Sequence, residues 1–186
     1  ARKFLPEETC ARIERRAAEL QARVTPDIPA GITANLRPYQ RDGFHFLAYL
    51  AANHFGGILA DDMGLGKTLQ ALAWLVWLRQ SANGAGDLAV SLAPPPKPSL
   101  VVCPKSVMDN WHAEAQRFTP GLRVKLWSPN ELNTLLERLP EADLHVLNYS
   151  QLRIVGESLV TVSWLVVILD EGQYIKNPNS QTAQVA

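Results

Sequence analysis

Two short stretches carry side chains that could act on one substrate. The first is Asp61-Asp62-Met63-Gly64-Leu65-Gly66-Lys67-Thr68, which follows the apolar run Gly57–Ala60 and opens a long apolar segment at Leu69. A glycine turn between strand and helix points successive backbone N–H groups into one hollow, where the helix dipole also favours an anion. Lys67 can reach the terminal phosphates of a nucleotide, and the Thr68 hydroxyl can ligate Mg²⁺. The general phosphate-loop pattern has glycine where Asp61 stands, and a Gly-Lys-Thr triplet also occurs as a plain tight turn with a surface lysine.

The second stretch is Asp170-Glu171-Gly172-Gln173, at the end of the apolar run Trp164–Leu169. Such a run reads as a central parallel strand buried on both faces. Ligands of open α/β sheets bind at the carboxyl ends of the strands. Two adjacent acids there have a use: Asp170 can hold Mg²⁺, and Glu171 can orient or deprotonate an attacking water. One acid at a strand end is commonly just the start of a turn. A pair after a buried strand, in a chain that also carries Gly-Lys-Thr, points to triphosphate chemistry.

These side chains need a scaffold. The chain has 186 residues, 47% of them hydrophobic, which suits one sizeable core. Lysines and arginines (18) balance aspartates and glutamates (18), so no basic tail announces a nucleic-acid partner, and such contacts must be local. The two cysteines, Cys10 and Cys103, lack metal-ligand spacing and fit a reducing, intracellular setting. Cys103 reads as a small buried thiol. No segment has the length and apolarity of a membrane span, and the N-terminus lacks a signal-peptide pattern. The four histidines show no ligand spacing. The five tryptophans read as packing residues, as does Tyr149, and Arg12, Arg15 and Arg16 as a solvated helix face.

The periodicity predicts an amphipathic helix from Pro6 to about Val24, then a linker over Thr25–Gly31, with the core beginning near Leu36. That divides the chain into residues 1–35, a helix and linker, and residues 36–186, a nucleotide-binding lobe. Pro38 opens a helix to about Asn53. A strand over Gly57–Ala60, the phosphate loop and a buried helix to about Arg79 follow. Ser81–Pro98 reads as a long mobile connection. Strands are expected at Leu100–Cys103, Val124–Trp127, Leu144–Leu147 and Trp164–Leu169. Between them fall helices from an N-cap at Ser106 to Phe118, from Ser128 and Pro129 to about Leu139, and a short one at Ser150–Arg153. Leu159–Ser163 is ambiguous. Alternating strands and helices imply an α/β three-layer sandwich with a mainly parallel sheet.

Several pieces together resemble the Swi/Snf-type ATPases, superfamily 2 helicase-like DNA translocases. Leu36-Arg37-Pro38-Tyr39-Gln40 resembles a nucleotide-recognition Q motif. Asp61 to Thr68 resembles motif I, Leu100 to Ser106 with Trp111 resembles motif Ia, and Asp170 to Gln173 with Ile175 to Pro178 resembles motif II. The resemblance runs from about Leu36 to the end. It implies a RecA-like N-terminal lobe that binds ATP and Mg²⁺ and works on double-stranded DNA, with DNA-bound proteins as targets and a second RecA-like lobe as partner.

The resemblance also implies roles. Gln40, supported by Arg37, would read the adenine edge. Asp61, Asp62, Met63, Gly64, Leu65, Gly66, Lys67, Thr68 and Leu69 would surround the nucleotide. Asp170 with Thr68 would hold Mg²⁺, Glu171 would activate water, and Gln173 would couple the nucleotide site to the DNA-moving parts. Pro104, Lys105 and Ser106 would meet the DNA backbone, although Lys105 reads equally well as a solvated loop lysine.

Some positions depart from the family pattern. Asp62 stands where glutamate is usual, which shortens the arm. Gln173 stands where histidine is commoner, as in bacterial-type members, and its amide cannot titrate near neutral pH. Motif III and the second lobe with its arginine finger are not among these residues, so the isolated chain is expected to bind nucleotide weakly and hydrolyse it little. Two other readings fit the phosphate loop: a different phosphotransferase such as a small-molecule kinase, and a non-catalytic nucleotide-dependent interaction module. The setting expected for the translocase is the cytoplasm or nucleoid of a bacterium, or a nucleus.

Overall fold

The computed structural model describes residues 8–9, 20, 23–62, 64–82 and 97–186. The Pro6–Val24 helix and the Ser81–Pro98 connection fall almost wholly outside these residues, as do Cys10 and the Arg12, Arg15 and Arg16 group. Four parallel strands form the sheet: β1 (Ser99–Cys103), β2 (Val124–Leu126), β3 (Leu144–Asn148) and β4 (Val167–Leu169), in the order β2-β3-β1-β4. The helices are α1 (Pro38–Ala52), α2 (Lys67–Ala82), α3 (Met108–Phe118), α4 (Tyr149–Leu159) and α5 (Gln181–Val185).

Alternation along the strands divides the core into two faces. Val101 and Cys103 of β1 and Leu144 and Val146 of β3 meet Ala71, Leu72 and Leu75 of α2 and Met108, Trp111 and Ala115 of α3. Leu100, Val102 and Leu147 point the other way, onto Trp127, Leu132, Leu135 and, from α4, Leu152, Val155 and Leu159. This is the three-layer sandwich expected. Six of the seven residues from Leu69 to Leu75 are buried, so α2 is covered nearly all round, as its composition required.

A third cluster joins α1 to α2 through Leu36, Phe44, Leu69 and Ala73. Ile28, Ile32 and Ala34 pack against it, and Thr33 donates from its backbone N–H to Phe118 (2.9 Å) and from its hydroxyl to Arg117 (2.6 Å). The stretch that composition marks as a linker therefore lies on the lobe. The α1 helix ends on His54 in the left-handed region (φ 55°), with Phe55 N–H bonded to Leu50 O (2.8 Å) and His54 N–H to Ala51 O (3.0 Å). That closes the last carbonyls in a Schellman arrangement without glycine.

Several expectations need correction. Gly57–Ala60 is not a strand: it joins no ladder, and Ile58 is 84% exposed. A strand exists only where its backbone groups bond to a neighbour's edge, and this segment bonds to none of the four strands. The run ending in Asp170 is not central and is not buried on both faces: β4 is the last strand of the sheet, its regular part is Val167–Leu169, and Val167 is 45% exposed. Ser106 is not an N-cap, because a 3-10 turn over Lys105–Val107 precedes α3. The helix expected after Ser128 is a 3-10 segment over Pro129–Thr134, with another at Leu139–Glu141. The helix expected at Ser150–Arg153 runs the full length of α4, capped by Asn148 Oδ1, which accepts from Ser150 and Gln151 N–H (both 3.0 Å).

One buried charge cluster sets the direction of α2. Arg79, in its last turn, donates to Asp143 Oδ1 (2.6 Å) and to Lys97 O (3.3 Å). Asp143 directly precedes β3, and Lys97 lies just before β1. The C-terminus of α2 is thus pinned at the amino ends of the strands. The helix runs antiparallel to the strands, and its first residues, Lys67 and Thr68, lie toward their carboxyl ends.

Candidate nucleotide site

The phosphate loop is held in shape by its own groups. Gly64 and Gly66 both lie at positive φ (84° and 76°), where a Cβ would be strained. A Cβ on Gly64 would meet nothing within 4 Å, so the chain there opens onto free space. A Cβ on Gly66 would lie 2.6 Å from Gln40 Nε2, so α1 presses directly on the loop. Lys67 Nζ donates to the backbone oxygens of Asp61 (2.7 Å) and Asp62 (3.0 Å). Gln70, fully buried, donates from Nε2 to Asp61 Oδ2 (2.9 Å). Met63 lies outside the described residues.

Gln40 is committed here as well. Its Nε2 donates to Leu65 O (3.0 Å), and its Oε1 accepts from Arg37 N–H (3.0 Å). The amide expected to face an adenine edge thus clamps the phosphate loop. Leu69 is a packing residue of the α1–α2 cluster. Thr68 is half-buried at the start of α2.

The acids follow β4. Asp170 N–H donates to Val102 O of β1 (2.8 Å), extending the ladder. Glu171 then turns the chain through the left-handed region (φ 56°, ψ 58°), at a cost of about 1–3 kcal/mol for a non-glycine residue. Asp170 Oδ1 accepts from Glu171 N–H (2.9 Å), and Asp170 Oδ2 accepts from the Trp111 indole N–H (2.8 Å). The Tyr149 hydroxyl donates to Asp170 O (2.7 Å), and its ring stacks on Tyr174 at 5.1 Å. Gln173 Nε2 donates to Glu171 Oε2 (2.6 Å).

The field here is negative. Burial first, and then the charge of Asp170, push the Cys103 thiol up to about 12. Burial, again followed by Asp170, pushes the Tyr149 phenol up to about 12, so its proton stays in place to hold Asp170. Oxygen donors in a negative field, with Thr68 at the head of α2, are the donor chemistry a hard divalent cation takes. The open turn at Gly64 beside a helix N-terminus suits phosphate. The residues present therefore fit a Mg²⁺–nucleotide. Among the described residues, no group of three or more His, Cys, Asp and Glu forms a separate metal cluster.

The two halves of the site share one end of the sheet. The direction of α2 carries Lys67 there, and Trp111 ties α3 to Asp170 while packing in the same cluster as Ala71, one turn into α2. Pro104, Lys105 and Ser106 follow β1 at that same end, with Pro104 buried and the other two exposed. Sequence reasoning assigned Trp111 and Tyr149 to packing and passed over Gln70. For Trp111 a signal existed: a buried indole N–H needs an acceptor, and α3 begins beside the carboxyl ends of the strands.

The SNF2-related domain matches residues 39–186. The TATA-binding protein-associated factor mot1 of Aspergillus fumigatus is 39% identical over 158 residues, covering 83% of this chain and 8% of that protein. The ISWI chromatin-remodeling complex ATPase ISW1 of Saccharomyces cerevisiae is 35% identical over 162 residues, covering 84% of this chain and 13% of that protein. The chain thus spans a small part of these curated relatives. The Sulfolobus solfataricus SWI2/SNF2 ATPase core, solved in complex with dsDNA, superposes with a TM-score of 0.73 at 34% identity, covering 87% of this chain and 31% of that one. With its sheet, its glycine turn and its paired acids in these places, the chain belongs to the SNF2-related family.

Proposed function

We propose that this chain is the ATP-binding N-terminal lobe of a DNA-dependent ATPase that moves along duplex DNA and remodels protein–DNA complexes. What supports the reading most is the common placement of the Lys67 end of α2 and the Asp170–Glu171 pair at the carboxyl ends of the strands. Mg²⁺–ATP, when bound, supplies a polarised γ-phosphoryl group. Lys67 exchanges the backbone oxygens of Asp61 and Asp62 for phosphate oxygens, and Gly64 to Thr68 offer N–H groups at the helix N-terminus. Thr68 and Asp170 hold the metal. Glu171 orients the attacking water and takes its proton. Gln173 donates to Glu171, and in this reading it couples the state of that carboxylate to the DNA-facing parts.

Lys105 and Ser106 contact DNA phosphates, which position a protein without reading sequence. A balanced overall charge fits a local contact of this kind. A second lobe completes the site in this reading, so the chain alone turns ATP over weakly. A DNA partner implies an intracellular setting. Among the described residues, no helix is long and apolar enough to cross a membrane.

The test is ATP hydrolysis by the intact protein with and without duplex DNA, before and after Glu171→Gln. Turnover that rises with DNA and vanishes in the variant, with ATP binding retained, supports the reading. Turnover that survives Glu171→Gln sinks it.

A further inference from the structure

Trp111 makes a contact that packing alone does not demand. It is 3% exposed and lies in the α2–α3 core, yet its indole nitrogen reaches out of that core to Asp170 Oδ2 at 2.8 Å. Asp170 Oδ1 is held separately by Glu171 N–H at 2.9 Å, and the Asp170 backbone oxygen by Tyr149. Both carboxylate oxygens are therefore fixed, each with further acceptor capacity.

We propose that Trp111 is the positioning residue for Asp170: its indole N–H fixes the carboxylate in the orientation that receives Mg²⁺. This rests on the reading of Asp170 as the metal-holding acid. An indole suits the task for two reasons. It is a donor only and does not titrate, so it holds the carboxylate at any working pH. It is also neutral, so it leaves the charge of Asp170 for the cation, where a lysine or arginine would compete. Outer-shell donors of this kind orient metal ligands, and losing one typically costs roughly 10–100-fold in metal affinity or activity.

The placement gives α3 a second role. Its first turn, Met108 to Trp111, follows directly on the 3-10 turn that carries Lys105 and Ser106. A shift of the Pro104–Ser106 segment on binding DNA phosphates would move the indole that holds Asp170. The metal ligand and the proposed DNA contact are thus linked through one short helix.

The test measures Mg²⁺ binding rather than turnover. In the intact protein carrying Glu171→Gln, a fluorescent ATP analogue is titrated at increasing Mg²⁺, with and without Trp111→Phe. Trp127→Phe is the matched control, because Trp127 is equally buried (2%) and also donates its indole N–H, to His145 on the opposite face of the sheet. The expected result is a Mg²⁺ midpoint raised about 10-fold by Trp111→Phe, unchanged by Trp127→Phe, with Mg²⁺-free nucleotide affinity unaltered in both. An unchanged midpoint in folded Trp111→Phe overturns the proposal.

Asp170→Asn separates the two levels. If it leaves the midpoint in place, the metal assignment itself fails and takes the proposal with it. If it shifts the midpoint while Trp111→Phe does not, only the role of Trp111 fails. Should Trp111→Phe not fold, ¹⁵N-tryptophan labelling of the unaltered protein reads the same contact. The Trp111 indole N–H resonance, assigned among those of the protein, should move on adding Mg²⁺ to the ATP-bound protein; an unmoved Trp111 resonance overturns the proposal.

Discussion

Gln40 and Leu65 are joined across 25 positions by one hydrogen bond, Nε2 to backbone oxygen at 3.0 Å, and through it α1 grips the phosphate loop. Gln40→Ala removes that grip and leaves a part-buried carbonyl unpaired. The expected outcome is a stability loss of about 1–3 kcal/mol with weakened ATP binding, read by denaturant unfolding and nucleotide titration. Unchanged binding in the variant would mean that the loop holds its shape without α1.

Gly66→Ala should be worse for binding than Gln40→Ala. The backbone at Gly66 lies at φ 76°, and the added methyl would sit 2.6 Å from Gln40 Nε2. Gly64→Ala meets no protein neighbour, so within the protein only backbone strain, about 1 kcal/mol or more, acts there. Calorimetric titration with ATP should rank the affinities wild type, Gly64→Ala, Gly66→Ala. The reverse order would show that contact with Gln40 is immaterial.

His145 makes stability depend on pH. Burial lowers its pKa, opposed by hydrogen bonds to the backbone of Leu139 and Ala142. Its Nδ1 accepts from Trp127 Nε1 (3.1 Å), so the proton lies on Nε2, which donates to Leu139 O (3.1 Å). The folded chain resists a proton that the unfolded chain accepts at about pH 6.5. The contribution is therefore complete above that pH and is lost as pH falls from there through the lowered folded value. His145→Gln should flatten the slope of unfolding free energy between pH 7 and 5. A slope equal to wild type would assign it to other groups.

Arg79 and Asp143 carry the register of α2. Burial alone would raise the Asp143 pKa, but hydrogen bonds from Arg123 and the charges of Arg79 and Arg123 outweigh it and lower it. Asp143 thus stabilises the fold above its unfolded pKa of about 3.9, and that contribution is lost as pH falls through the lower folded value. Asp143→Ala strands the Arg79 guanidinium, whose side chain is 14% exposed. The expected loss is about 3–5 kcal/mol. A loss below 1 kcal/mol would show that α2 is held by apolar packing alone.

Lys105 offers a graded test of the DNA contact. In the intact protein, Lys105→Ala should weaken binding to duplexes of unrelated sequence by similar factors and lower the salt slope of log K by about 1. A loss confined to one sequence would contradict a backbone contact.

The motifs were legible because each is local. The glycine turn and the acid pair need only their neighbours in the chain, and the α/β alternation follows from runs of apolar residues. The missed features depend on distant partners. Gly57–Ala60 has strand composition, yet pairing depends on whether the chain is carried alongside a sheet edge, which no local pattern reveals. The bond from Trp111 to Asp170 spans 59 positions. The segment after Ser128 carries helix signals, but Ser128 and Glu131 satisfy one another at 2.7 Å and the turn tightens to a 3-10 form. Ile28 and Ile32 sit among prolines that suggest a linker, and only the exposed side of α1 and α2 explains why they fold back.

The two margins of the sheet are guarded differently. At β2, Lys125 is drawn toward Glu131 (3.6 Å) and Glu141 (3.4 Å), and charge on a margin discourages another molecule from pairing there. At β4 the row is Val167, Ile168 and Leu169, with no charge of its own. Unless something covers it, that row is a template for intermolecular strand pairing. The lobe should remain monodisperse only when diluted or when that flank is occupied, and sedimentation over a concentration series would reveal it.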